Sequence, residues 1–198
     1  MKRIVPLILL LAFTASAAQA QLFKKRSKSV KKEYSIGTIT TVNNKVTFNE
    51  TIPAPGLTAK EVEEVVTKWF AERFVKPTVI GFKAYEPEVP GTLVAKAEEY
   101  IVFKNTFFVL NRSRIAYFMN ITCKDGSCIF DMSRITYWWD DEADDGGRKM
   151  TAEECITDEH AINKEGGLHK FNGKFRTKTI DLKNILVEDL KNRLKAAK

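Results

Sequence analysis

The sequence is poor in the residues that build metal centres and disulfide frameworks. It has three cysteines and two histidines in 198 residues. Two histidines cannot make a histidine-based metal site without carboxylate help, and one closely spaced cysteine pair without a second is not a zinc site. Six prolines and ten glycines are too few for a long flexible linker or a collagen-like repeat. No internal repeat is visible. Beyond residue 20 no run of roughly 18 apolar residues occurs, so no spanning helix is expected. No catalytic or cofactor motif is recognised, and neither a cofactor nor a metal is expected. What is present suits a folded chain: 44% hydrophobic, 29% charged and 11% aromatic residues, at a length that allows one domain, alone or with an extension.

Residues 1–20 have the parts of a secretory signal peptide. Lys2 and Arg3 open it, Ile4 to Phe13 is the apolar stretch, and Ala18-Gln19-Ala20 is a small-x-small cleavage site. The mature chain is therefore expected to begin at Gln21. No cysteine stands at that point, which argues against a lipid anchor. The formal net charge of +7 is unevenly placed. Lys24, Lys25, Arg26, Lys28, Lys31 and Lys32 meet no acid before Glu33, whereas the chain after Lys32 carries 24 basic and 25 acidic residues. The basic character thus belongs to an arm, residues 21–33, and not to the body, residues 34–198. Such an arm reads as a solvated, disordered lead-in. The sharper reading is weak peripheral contact of its six cations with anionic headgroups. A near-neutral body lacks the positive footprint of a nucleic-acid binder, so no nucleic-acid partner is expected.

Along the body, Tyr34 to Val42 and Lys45 to Ile52 read as strands around an Asn43-Asn44 turn. Thr58 to Phe74 reads as a helix. Thr58 and Glu61 form a capping box, and Val62, Val65, Val66, Trp69, Phe70 and Phe74 form its apolar stripe. Thr78 to Tyr85 and Leu93 to Phe103 read as strands, and Asn105 to Ser113 as a connector. Ile115 to Cys123 and Cys128 to Trp139 read as a hairpin. A second capping box, Thr151 with Glu154, opens a helix to about Lys164. A final helix runs from about Thr179 to Ala196, with a stripe of Leu182, Ile185, Leu186, Leu190 and Leu194. Mostly hairpin-connected strands with segregated helices predict an α+β fold with an antiparallel sheet.

In Cys123-Lys124-Asp125-Gly126-Ser127-Cys128, Asp-Gly suits a two-residue turn in which both central residues take positive φ. The two cysteines then face each other as a non-hydrogen-bonded pair, about 4.5 Å apart at Cα, within reach of a disulfide. A Cys123–Cys128 bond is expected. Cys155 is left over as a staple residue packing with Met150. The acidic loop Asp140 to Gly147 resembles a calcium loop only in its alternation. An EF-hand's glycine and bidentate glutamate would fall at Asp145 and Thr151, so a solvated loop is expected. Tyr137-Trp138-Trp139 ends a strand, which turns the two indoles to opposite faces. One is expected in the core and the other is free to stack on a ligand.

Several stretches together resemble a family of secreted bacterial proteins, the domain of unknown function numbered 4468, with a TATA-binding-protein-like fold. They are Val42-Asn43-Asn44-Lys45-Val46-Thr47-Phe48, Ala54-Pro55-Gly56, Lys68-Trp69, Glu99-Tyr100-Ile101-Val102-Phe103, Ile121-Thr122-Cys123 with Cys128, Thr151-Ala152-Glu153-Glu154 and Arg176-Thr177-Lys178-Thr179-Ile180-Asp181. The resemblance covers about residues 34 to 190. It implies a curved antiparallel sheet with a long helix on one face, plus C-terminal helices. It brings no catalytic residue. Cys155 departs from the bulky aromatic expected there, which favours packing over chemistry. A fold name does not carry DNA binding with it.

The expectation is an exported, non-enzymatic envelope protein in the periplasm or at the cell surface, binding a protein or small-molecule partner around Tyr137, Trp138 and Trp139. The alternative from another class is a hydrolase using Cys155 with His160 and Asp158.

Overall fold

The computed structural model describes residues 30–106 and 109–197. The signal-peptide reading and residues 21–29 of the basic arm lie outside the described residues. The end of the arm enters a short 3-10 turn, Lys32–Tyr34. Strands β1 (Thr41–Val42) and β2 (Lys45–Val46) make a small hairpin. Its turn residues Asn43 and Asn44 have φ of 50° and 60°, the left-handed pair that a two-residue hairpin turn requires.

The main sheet is antiparallel and six-stranded. It comprises β3 (Phe48–Pro53), β4 (Val79–Tyr85), β5 (Thr92–Thr106), β6 (Val109–Lys124), β7 (Ser127–Trp139) and β8 (Arg148–Thr151). The order is β3-β7-β6-β5-β4, and β8 also pairs with β7. β3 pairs with the first half of β7 and β8 with its last four residues. Register shifts interrupt β4/β5, β5/β6 and β6/β7, and bulges of this kind bend strands and increase their twist.

Two helices, α1 (Ala59–Arg73) and α4 (Asn172–Ala196), lie on one face, with the one-turn helices α2 (Ala152–Cys155) and α3 (Asp158–Ala161) beside them. The capping box that starts α1 is formed as read. Thr58 Oγ1 accepts from Glu61 N–H at 3.3 Å, and the Glu61 carboxylate accepts from Thr58 N–H at 2.7 Å. The Thr58 N–H and the Thr58 hydroxyl, both donating to it, hold the Glu61 carboxyl below its ordinary range. Val62, Val66, Trp69 and Phe70 are buried, and a fully buried large apolar side chain contributes roughly 1.5–3 kcal/mol. Phe74 stacks on Phe82 at 4.6 Å. Trp69 is fully buried, and its Nε1 donates to Asp189 on α4 at 3.0 Å. Arg193 of α4 pairs with Glu72 of α1. Among the described residues no helix is long and apolar enough to cross a membrane.

Several expectations are corrected. The β5/β6 hairpin is longer than the sequence suggests, with Thr106 facing Val109. The final helix begins seven residues before Thr179, at Asn172. The helix expected from Thr151 to Lys164 is two single turns. Ile185, assigned to the buried stripe of α4, is 57% exposed. Cys123 and Cys128 do face each other across the hairpin, and the structure holds both as free cysteines, so the expected bond is not shown. The Cys123 thiol is turned to the carbonyl of Ile121 on its own strand, 4.0 Å away. The turn itself differs too: of its two central residues Gly126 alone has positive φ, at 72°. The cause is docking on the start of α1. Asp125 Oδ1 accepts from Ala59 N–H at 2.7 Å, and Gly126 N–H donates to Leu57 O at 2.8 Å.

The acidic loop returns the chain from β7 to β8 through Gly147, at φ 67°. A Cβ there would overlap the carbonyl oxygens of Trp139 and Asp140. Gly147→Ala is expected to lower the thermal midpoint by several degrees. The left-handed φ alone costs about 1–2 kcal/mol, and each 1 kcal/mol moves the midpoint by about 2–4 °C in a domain of this size. A melt followed by circular dichroism checks it, and an unchanged midpoint would contradict this loop geometry.

Candidate functional site

Alternation along the strands divides the sheet into a helix-covered face and an open one. Ala95, Ala97, Ile115, Tyr117, Met119, Ile121, Phe130 and Met132 are buried on the covered face. On the other, no described element packs over the strands. There the register builds one row across four strands. Tyr100 of β5 faces Arg114 of β6, Arg114 faces Trp138 of β7, and Trp138 faces Lys149 of β8. The Arg114 guanidinium sits 4.7 Å and the Lys149 ammonium 4.6 Å from the Trp138 ring centroid. Arg112 lies 3.9 Å over Tyr100. Further along the same face Tyr85 and Phe118 meet at 5.8 Å, with Lys83 over the first ring and Arg134 over the second. Cations held on ring faces are attracted by the ring quadrupole, by about 0.5–1 kcal/mol at exposed sites.

The acidic loop fixes this array. Asp141, whose side chain is 5% exposed, pairs with Arg114 Nε at 2.5 Å, and Glu142 pairs with Arg112 at 2.8 Å. Glu98 approaches Arg114 from the other side at 3.7 Å. Gly146 O accepts from Trp138 Nε1–H at 2.7 Å and sets the indole's orientation. The loop expected to be merely solvated is therefore a clamp on the two arginines. Among the described residues no group of acids, cysteines and histidines could hold a metal. A cavity of about 400 Å³ opens beside Trp138, lined by Lys96, Glu98, Arg114, Thr136 and Lys149 among others.

The three residues chosen from the sequence are separated by the fold. Trp138 and Trp139 do point to opposite faces. Tyr137 is 2% exposed on the core side and shares a 2.7 Å hydrogen bond with Thr179. Trp139 packs edge-on against Phe171 at 5.1 Å. Only Trp138 is on the open face. Tyr100, Phe118, Arg112, Arg114 and Lys149 are missed by motif reading. For Arg112, Arg114 and Phe118 the one signal is two-residue spacing, Arg112-x-Arg114-x-Ala116-x-Phe118, which interleaves with the buried residues of β6.

The cysteine-hydrolase constellation is not assembled. Cys155 is fully buried, and burial pushes its thiol up to about 12, so no thiolate forms near neutrality. Burial likewise pushes Cys123 up to about 11 and Cys128 up to about 12. The Asp158 carboxylate is already engaged, accepting from Gly37 N–H at 2.8 Å and pairing with Arg176 at 2.8 Å. His160 is exposed, and its carbonyl accepts from Asn172.

The arrangement defines an α+β protein with one helix-covered and one open sheet face. Residues 48–138 match the model of the domain of unknown function DUF4468 with a TBP-like fold. A crystal structure of a DUF4468 family protein from Bacteroides ovatus is similar at a TM-score of 0.72 and 29% identity, over 86% of this chain and 95% of that one. A TBP-like protein from Parabacteroides distasonis shares the fold at a TM-score of 0.65 and 20% identity, over 81% of this chain and 99% of that one. No curated protein matches this sequence. The family resembled by the sequence is thus the one whose model matches, and the fold of this chain is TBP-like.

Proposed function

We propose that this protein is an exported, non-enzymatic binding module of the cell envelope, in the periplasm or at the cell surface without a lipid anchor. Its open sheet face takes an acidic segment of a partner protein. The observation that carries the reading is the row Tyr100–Arg114–Trp138–Lys149, an indole held between two cations on an uncovered sheet. Arg112 and Arg114 have carboxylate partners, but Lys83, Lys96, Arg134 and Lys149 form no ion pair among the described residues. These four cations are available to an acidic ligand, and aromatic and arginine side chains are the usual anchors of protein interfaces. Nucleic acid is disfavoured by the near-neutral charge of the body, since phosphate binding needs a broad basic surface. The basic arm belongs to the same proposal as a weak contact to anionic headgroups.

The test is fluorescence anisotropy of a labelled peptide alternating aspartate and tyrosine, titrated with the mature chain. Trp138→Ala and Lys149→Glu are each expected to weaken binding at least about tenfold, the scale of an interface hot spot. An unchanged affinity in Trp138→Ala would contradict the assignment, as would tighter binding of a single-stranded oligonucleotide.

A further inference from the structure

A second surface lies on the helix side of the sheet, where β4 stops short. The pairing of β4 with β5 ends at Val79 opposite Glu99, and the last bond on that side runs from Tyr100 N–H to Thr78 O at 2.9 Å. From Ile101 to Asn105 β5 has a strand partner on its β6 side only, among the described residues. Alternation then turns the N–H and C=O of Val102 to the same free edge. Between this edge and α4 runs a groove of about 590 Å³. Ile101 and Leu182 are in its wall together with Ile185, the one large apolar residue of α4 that is exposed.

At the head of the groove is Arg73, the last residue of α1. It is 5% exposed and stacks on Phe74 at 5.1 Å. Its Nη2 donates to both oxygens of buried Glu99, at 3.3 and 3.1 Å, and Tyr117 donates to the same carboxylate at 2.6 Å. The other two nitrogens, Nε and Nη1, are buried and have no hydrogen-bond partner. Buried donors without acceptors are rare in folded proteins and call for an explanation. Lys178, also lining the groove, makes no ion pair among the described residues, and Asp181 accepts from Tyr34.

We propose that this groove binds the C-terminal end of an extended peptide whose last side chain is apolar. The peptide adds as a strand to the free edge of β5 at Val102, a known mode of strand addition. Its last side chain rests against Leu182 and Ile185, and its terminal carboxylate accepts from the donors left on Arg73, with Lys178 at the wall. Strand edge, helix wall and unsatisfied guanidinium call for three features that one ligand combines: backbone, an apolar side chain and a carboxylate. Of the open-face row only Tyr100 also lines this groove, so the two surfaces meet at one residue and either can fail alone.

The experiment uses the mature chain and an acetylated pentapeptide of alternating threonine and valine ending in leucine, as the free acid and as the C-terminal amide. The acid is expected to bind at least about tenfold tighter than the amide, a charge-assisted bond being lost in the latter. In nitrogen-15 NMR spectra the Arg73 Nε–H and Val102 N–H signals are expected to move with the acid. Ile185→Glu, at an exposed position, is expected to weaken the acid at least about tenfold. The paired variant Arg73→Gln/Glu99→Gln, which leaves no buried charge alone, should erase the preference for the acid. Trp138→Ala should leave the preference intact. Equal affinity for acid and amide, no saturable binding of either, or indifference to Ile185→Glu would overturn the proposal.

Discussion

Arg176→Met is expected to destabilise the protein by about 3–5 kcal/mol, the usual cost of removing one partner from a buried, charged hydrogen-bond network. Arg176 is fully buried near the start of α4. Its Nε donates to Tyr34 O at 2.9 Å and its Nη1 to Ile156 O at 2.8 Å. Its Nη2 donates to Ser35 O at 2.5 Å and to Thr38 Oγ1 at 2.9 Å, and pairs with Asp158 at 2.8 Å. Methionine fills much of the volume but offers no donor, so five contacts are lost together, although Ser35 O keeps the Thr38 hydroxyl and Asp158 keeps Gly37 N–H. Urea denaturation measures the loss. Hydrogen exchange locates it, with faster exchange expected first at Gly37 N–H, whose acceptor is Asp158. A loss below about 0.5 kcal/mol, the range of an ordinary surface change, would contradict a clamping role for this side chain.

Arg73→Met is expected to cost a similar amount, about 3–5 kcal/mol, for a different reason. It strands a carboxylate. Glu99 is 3% exposed and would keep only the Tyr117 hydroxyl as a donor. Burial and the neighbouring Glu99 charge already push the Tyr117 phenol well above its ordinary range, so the hydroxyl stays a donor at all working pH values. The double variant Arg73→Met/Glu99→Leu is expected to recover most of the loss, because replacing a whole buried ion pair by apolar groups is often nearly neutral. Equilibrium unfolding of the single and double variants checks this. Equal destabilisation by both would mean that packing, and not the stranded charge, sets the cost.

Elements whose stabilising interactions are local were the legible ones. Both capping boxes, Thr58 with Glu61 and Thr151 with Glu154, are formed as read. So is the register that sets Cys123 opposite Cys128. What the sequence hid depends on distant partners. The start of α4 was obscured because its inward residues include Gly173, Arg176 and Thr179, which no hydrophobic stripe contains. Gly173 is required where a Cβ would press on Leu168, and Arg176 is buried only because carbonyls from far along the chain surround it. The outer part of the β5/β6 hairpin was obscured because polar Asn105, Thr106, Asn111 and Arg112 break the two-residue alternation. At the open face, Trp138 was found from its own strand. Its companions came from three other strands, and only the register brings them together. The two adjacent indoles are turned apart as read, Trp139 packing against Phe171 and Trp138 lying on the open face.

The Arg176 clamp also has a consequence in time. It joins Ser35 to a residue 141 positions later. Synthesis at about 5–20 residues per second therefore separates the two ends of that contact by on the order of ten seconds. During that interval the carbonyls of Tyr34 and Ser35 have no guanidinium to meet, and the leading segment remains unfastened until the chain is nearly complete. Closure of so long a loop carries an entropic cost before any contact forms, so the seam between the first and last elements belongs among the late events of folding. On the nascent chain, Tyr34 and Ser35 therefore wait without this partner for most of the protein's manufacture.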